Sequence, residues 1–256
     1  AGRYGFALLL LLPVIAWLRI DFRGANWTNH VLRALFGWAG VSCLFAASSV
    51  MLLADATAIS FLNPIVAMIL SIPLLGEKVG PWRWVGAALA FSGAVVVAQP
   101  GTAAFQPIAL IALLSAVFIG IEVVLVKRLA DREPGLRILF LSNALGAAIA
   151  LSAAVFVWKW PNATQWSLLA ATGAIMATAQ ALFIEALRRA DASFVTPFLY
   201  TALIFATLYD FVAFGVLPQL AGWIGAGLIV AGALIVAWRE RLRRVRQRKL
   251  PTSAGT

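Results

Sequence analysis

Residues 54–98 read ADATAISFLNPIVAMILSIPLLGEKVGPWRWVGAALAFSGAVVVA, and the chain returns to the pattern at 190–237 as ADASFVTPFLYTALIFATLYDFVAFGVLPQLAGWIGAGLIVAGALIVA. Ala54-Asp55-Ala56-Thr57 aligns with Ala190-Asp191-Ala192-Ser193 at an offset of 136. Trp84-Val85-Gly86-Ala87 aligns with Trp223-Ile224-Gly225-Ala226 at 139, as does Gly93-Ala94 with Gly232-Ala233, so three residues are inserted between. Each copy is two apolar runs joined by a short turn. Copies this far apart do not stack as a solenoid, whose units are contiguous. They mark a duplicated bundle of membrane helices.

Composition agrees. Hydrophobic residues make up 62% of the chain and charged residues 12%. A soluble fold of this length has no interior large enough to hide so much apolar surface, whereas runs of about 20 apolar residues suit a bilayer. The single cysteine, Cys43, excludes a disulfide within the chain, and the single histidine, His30, excludes a histidine metal cluster. No metal or other cofactor is expected. The net charge of +10 does not mark a nucleic-acid surface, because the basic residues fall between apolar segments.

The expected fold is all-α and polytopic. Nine spans are expected, at about 2–18, 33–53, 56–75, 81–98, 107–126, 136–157, 166–187, 194–216 and 220–238. Most reach across a hydrocarbon core of about 30 Å at 1.5 Å per residue. The first run carries Tyr4 and Pro13 and no cleavage pattern follows it, so it is read as a span rather than a signal peptide. With residue 1 outside, the inside loops hold Arg19, Arg23 and Arg33; Lys78 and Arg83; Lys127, Arg128, Arg132 and Arg137; Arg188 and Arg189. The tail from Arg239 to Lys249 is inside as well, and only Arg3 and Lys159 fall outside. The bias of Lys and Arg towards the cytoplasm selects this threading and a cytoplasmic C-terminus.

The repeat pairs spans three and four with eight and nine, two with seven and one with six. Span five, 107–126, then lacks a partner. A five-helix unit inserted twice gives two copies of opposite orientation, a construction known among secondary transporters. The expectation is one further helix ahead of residue 1. Three regions follow: a first repeat at 1–98, a second at 107–238 and a basic tail at 239–256 that touches acidic lipids.

Residues 60–97, SFLNPIVAMILSIPLLGEKVGPWRWVGAALAFSGAVVV, resemble the end of a first EamA domain of the drug/metabolite transporter superfamily. The carrying features are an apolar helix with a central proline, the LLGEK turn, and then Trp84, Gly86 and Gly93. The second copy, with Tyr200-Thr201 and Gly222 to Gly232, resembles the second EamA domain. The opening Arg3-Tyr4-Gly5-Phe6-Ala7-Leu8 is similar to the start of that family's second helix. The resemblance implies ten helices with both termini in the cytoplasm. The sequence departs at Val216, where the second turn of the family carries a glutamate, so that acidic role falls to Glu77 alone.

Ionisable side chains inside a span cost roughly 2.5–3.5 kcal/mol at mid-membrane and mark interior or aqueous sites. Glu122 in span five is the leading candidate for substrate or proton binding; the alternative is a salt bridge to Lys127, Arg128 or a partner helix. Lys127, five residues on, is turned about 140° around the helix, which makes an in-helix pair poor, and the other spans offer almost no cations. Asp210 in span eight has no basic neighbour in its own helix. Glu185 is explained by a local pair with Arg188 and Arg189. Among uncharged groups, Asn63, Ser115, Asn143, Gln180, Tyr200 and Thr201 are set against ordinary interhelical hydrogen bonding. Pro64 frees a carbonyl one turn back, a gap for a polar neighbour or a substrate, and Pro197 has a comparable place in span eight. The expected substrate or ion path is therefore Glu122, Asn63, Pro64, Asn143, Gln180, Tyr200, Thr201 and Asp210. The glycines at 86, 93, 225 and 232 are read as packing, since small residues let membrane helices approach.

Enzyme classes find no support: there is no HExxH, no GxSxG and no phosphate-cradling loop. No soluble stretch holds an ATPase, so transport would be secondary. The expected partners are a small-molecule substrate, protons and membrane lipids, with no nucleic acid. The sequence leaves the oligomeric state open. The expected function is secondary transport of small metabolites or drugs across the cytoplasmic membrane; the alternative is a non-transporting membrane scaffold or chaperone.

Overall fold

A computed structural model describes residues 2–51, 53–99, 107–154, 160–215 and 220–249. Among them every regular element is helical. The order is α1 (Gly2–Leu18), α2 (Trp27–Ser48), α3 (Leu53–Ser60), α4 (Asn63–Leu75), α5 (Pro81–Ala98), α6 (Ala109–Ala130), α7 (Gly135–Ala154) and α8 (Ala163–Arg189). Then come α9 (Ala192–Val195), a 3₁₀ turn (Thr196–Tyr200), α10 (Thr201–Phe214) and α11 (Leu220–Lys249). Among the described residues seven helical stretches are long and apolar enough to cross a membrane, and Gly2–Leu18 and Ala192–Phe205 are shorter apolar helices. Trp17, Phe45, Leu110, Leu168, Val212 and Leu234 all point outwards and are exposed. Such a girdle would be a liability in water and is satisfied by hydrocarbon. The chain is a polytopic membrane protein.

Several helix bounds differ from the sequence expectation by a few residues, and three differences are larger. Span two starts at Trp27, not residue 33. The polar run Asn26–Arg33 depresses hydropathy, but it is a helix start: the Asn26 side chain accepts from Asn29 N at 3.1 Å. Asn26 N in turn donates to Glu133 Oε1 at 2.8 Å, and His30 Nε2 lies 3.1 Å from Glu133 Oε2. Arg33 is therefore in the second turn of a helix and buried, not in a loop. Second, spans three and eight are both interrupted. Pro64 has no N–H to offer the Ser60 carbonyl, and its ring crowds that carbonyl, so α3 stops at Ser60 and α4 starts at Asn63. The Asn63 amide fills the gap by donating to Ser60 O at 2.8 Å. In span eight Pro197 sits in the 3₁₀ turn, and Thr201 Oγ1 donates to Phe198 O at 2.6 Å. Third, α11 runs on through the basic segment to Lys249, well past residue 238. The last turn of span six, 155–157, lies outside the described residues.

The two interruptions touch. Tyr200, fully buried, donates its hydroxyl to Phe61 O at 2.7 Å, and the two rings meet edge to face at 6.2 Å. Beside them α5 and α11 pack along their length. A Cβ on Gly93 would lie 2.6 Å from Gly225 O, and one on Gly232 would lie 2.5 Å from Gly86 O. Those four glycines let the backbones touch, as expected from the sequence.

One end of the bundle is closed by apolar packing. Leu11, Leu129, Ile138, Ile184, Leu187 and Ala192 form one buried cluster there. Glu77, in the α4–α5 turn, accepts from Ala192 N and Ser193 N at 2.7 and 2.9 Å. Arg83 adds Nη1 to Ser193 Oγ at 2.6 Å and Nη2 to Asp191 Oδ2 at 2.8 Å. Turns far apart in sequence are thereby pinned together over the cluster.

Candidate functional site

Behind that closed end lies a cavity of about 450 Å³ between α1, α2, α6, α7 and α8. Each wall is set by helical spacing. Helix α6 supplies Ile119, Glu122, Val123 and Val126, one face at three- and four-residue steps. Helix α2 supplies Arg33 and Gly37, one turn apart, with Trp38 beside them. Arg3 and Tyr4 come from α1, Asn143 from α7 and Gln180 from α8.

The centre is an ion pair. Arg33 Nη2 lies 3.4 Å from Glu122 Oε1; the Arg33 side chain is 7% exposed and that of Glu122 28%. Gly37 makes the pair possible, because a Cβ there would sit 2.8 Å from the Glu122 carboxyl carbon. Arg33 Nε is buried with no hydrogen-bond partner. Arg3 donates to Tyr4 Oη at 2.6 Å, its guanidinium 4.2 Å from the centre of that ring. On the opposite wall Asn143 Nδ2 donates to Leu139 O at 2.8 Å and to Gln180 Oε1 at 3.0 Å. Asn143 Oδ1 and Gln180 Nε2 are left to pair with a ligand. The cavity thus offers two guanidinium groups, one carboxylate, an amide acceptor and donor, and the rings of Trp38 and Tyr4. It suits a small polar molecule in size and chemistry.

The structure gathers Glu122, Asn143 and Gln180 on this cavity. Asn63, Pro64, Tyr200 and Thr201 sit at the two helix interruptions instead, with the partners given above. Asp210 lies in α10, and its side chain is outside those described. Ser115 is buried against Ser60, the hydroxyls 3.3 Å apart. Glu185 pairs locally with Arg189 Nε at 2.6 Å and Arg188 Nη1 at 3.5 Å. Lys127 turns away from Glu122, to Asp131 Oδ1 at 2.6 Å and Leu187 O at 2.8 Å. One step of the sequence argument is overturned: Glu122 does have a close cation, and it comes from another helix. The missed residues are Arg33, Arg3, Gly37 and Trp38. The signal was the Asn26 cap, which places Arg33 and Gly37 on one helical face.

A helical bundle with an apolar girdle and a charged cavity among its spans belongs to the class of membrane transporters. The chain is a member of the EamA-like transporter family, whose sequence profile matches residues 1–99 and 106–238. It is 30% identical over 250 residues to a riboflavin transporter of Rhizobium johnstonii, covering 96% of this chain and 82% of that one. It is 25% identical over 240 residues to an S-adenosylmethionine uptake transporter of Rickettsia prowazekii, covering 93% and 82%. A crystal structure with 23% sequence identity superposes with a TM-score of 0.80 over 94% of this chain and 87% of the other, which establishes the fold. The family and these relatives are transporters of small metabolites, not enzymes.

Proposed function

We propose that this chain is a secondary active transporter of a small water-soluble metabolite in the cytoplasmic membrane, and that Glu122, Asn143 and Gln180 contact the substrate. The single observation that carries the reading is the Arg33–Glu122 pair exposed to a cavity among the spans. A pair with a purely structural task would be expected to fill its own space; this one borders a void. A scaffold or chaperone has no need of such a void. Glu122 is the group that would take up a proton and so couple substrate movement to a gradient.

Two inverted repeats, residues 1–98 and 107–238, supply the moving parts. In support, the interruption at 61–62 and the 3₁₀ turn at 196–200 occupy equivalent places in the two quoted stretches. The Gly86–Gly232 contact is also carried by the repeat offset onto the Gly225–Gly93 contact, as a two-fold axis between α5 and α11 requires. Asn63, Pro64, Tyr200, Thr201 and Asp210 belong to the interrupted helices, which line the path as it opens. The threading with the basic tail in the cytoplasm puts the Glu77–Arg83 clamp on the cytoplasmic side.

The test is uptake and efflux by cells expressing the protein, with a radiolabelled panel of riboflavin, S-adenosylmethionine, amino acids and nucleosides. Transport of at least one compound, lost in Glu122→Gln at equal membrane abundance, supports the reading. No transport of any compound in either direction favours the scaffold.

A further inference from the structure

We propose that the substrate is a small organic monoanion whose carboxylate binds the Arg33 guanidinium, replacing Glu122 as its partner. The proposal rests on the transport reading and adds the charge and the anchoring group of the substrate.

The charge balance is the first argument. The charged side chains lining the cavity are Arg3, Arg33 and Glu122; Tyr4 is the other titratable group there. Two cations face one anion, an excess of one positive charge on the cavity wall. A ligand with one negative charge complements that excess. With Glu122 ionised, a dianion would overshoot and a cation would double the imbalance.

The second argument is geometry. The hold on Arg33 is loose: the Glu122 contact is 3.4 Å, longer than the roughly 2.7–2.9 Å of a good charge-assisted hydrogen bond. Nε, one prong of the planar fork that suits a carboxylate, is buried and unpaired although the guanidinium lines the cavity. Arg137 and Arg239 leave Nε in the same condition, but of the three only Arg33 borders this cavity. A ligand carboxylate arriving from the cavity supplies the missing partner with a small shift of the side chain. Asn143, Gln180 and Trp38 line the same cavity and offer amide groups and an aromatic ring to the rest of the molecule.

The third argument is the fit of Glu122 itself. Its carboxylate lies against the bare backbone of Gly37 and borders the cavity, so it has open space to move into. Departure from Arg33 and arrival of the substrate carboxylate exchange like for like on one guanidinium.

Three probes with one ring and three charges test this: benzoate, benzamide and benzylamine, at constant ionic strength. Each is titrated against the purified full chain in detergent, and thermal unfolding is followed. Benzoate is expected to raise the unfolding temperature saturably, with at least tenfold tighter apparent affinity than the other two. In Arg33→Gln that preference is expected to vanish; if this variant does not fold, the wild-type series alone decides. Equal stabilisation by benzamide, or a preference for benzylamine, contradicts the proposal. So does the absence of saturable stabilisation by any of the three. The uptake screen reports separately on the transport reading: cells that move a neutral or cationic metabolite while benzoate fails to bind would overturn this inference and leave transport standing.

Discussion

Ala192 donates its backbone N–H to Glu77 Oε1 at 2.7 Å, across 115 residues of chain. The same carboxylate takes Ser193 N at 2.9 Å and the Ser193 hydroxyl. Glu77 thus stands where an N-cap residue of α9 would, and the cap comes from another helix turn. Replacing Glu77 by Ala strands two backbone donors beside buried Ala192 and Ser193, at a cost of about 1–3 kcal/mol. Glu77→Gln keeps one strong acceptor and should lose less. Thermal unfolding in detergent should rank wild type above Gln above Ala; an Ala variant as stable as wild type would remove the cap from the account.

Arg83 ties the same corner through Asp191 and Ser193. Loosening it should open the closed end. With Ala179→Cys on the cavity wall in a Cys43→Ala background, Arg83→Gln should speed labelling by an impermeant thiol reagent in inside-out vesicles. An unchanged labelling rate would mean that the apolar cluster alone keeps that end shut.

The α5–α11 seam gives a matched pair of opposite sign. A Cβ at Gly93 would sit 2.6 Å from a backbone oxygen, whereas one at Gly227 would meet nothing within 4 Å. Gly93→Ala should destabilise by about 1–3 kcal/mol through overpacking. Gly227→Ala should be neutral or stabilising by up to about 1 kcal/mol, because alanine is the better helix former. Unfolding temperatures of the two variants check the seam; equal shifts would contradict it.

The spans were legible because continuous apolar runs and the two-copy pattern are strong signals, and α1 and α5 match their expected bounds. What the sequence hid had two physical causes. Hydropathy scores the Asn26–Arg33 run as a loop, because it does not weigh a side-chain cap; this moved Arg33 out of the helix and out of the site. Periodicity along one helix also says nothing of cations on its neighbour, so Glu122 looked unpaired. The gap left by Pro64 was foreseen, but the chain closes it with its own Asn63. Gly37 was overlooked for a similar reason: its value lies in the Glu122 carboxylate across the interface.

That last contact is itself testable. Gly37→Ala should push the carboxylate aside, since the obstructing atoms are the end of a flexible side chain and the fold can absorb the change. Glu122 and the substrate both meet Arg33, and a hydrogen bond to a charged group is worth about 1.5–3 kcal/mol, so the apparent KM should change by about tenfold or more. Wild-type KM would show that the position of the carboxylate is immaterial.

Topology has its own check. Single cysteines at Asn162 and Thr252 in a Cys43→Ala background should be labelled in intact cells at 162 and protected at 252. The reverse pattern would invert the threading and place the Glu77–Arg83 clamp on the outer face.

The central claim is that Glu122 in the α2–α6 cavity carries the coupling. The direct measurement uses wild type and Glu122→Gln in proteoliposomes, with an imposed pH gradient and whichever metabolite the cells transport. Wild type should accumulate it against its concentration gradient, and Glu122→Gln, folded and inserted equally well, should not respond to the pH gradient. Uphill transport by Glu122→Gln at the wild-type rate would contradict the account.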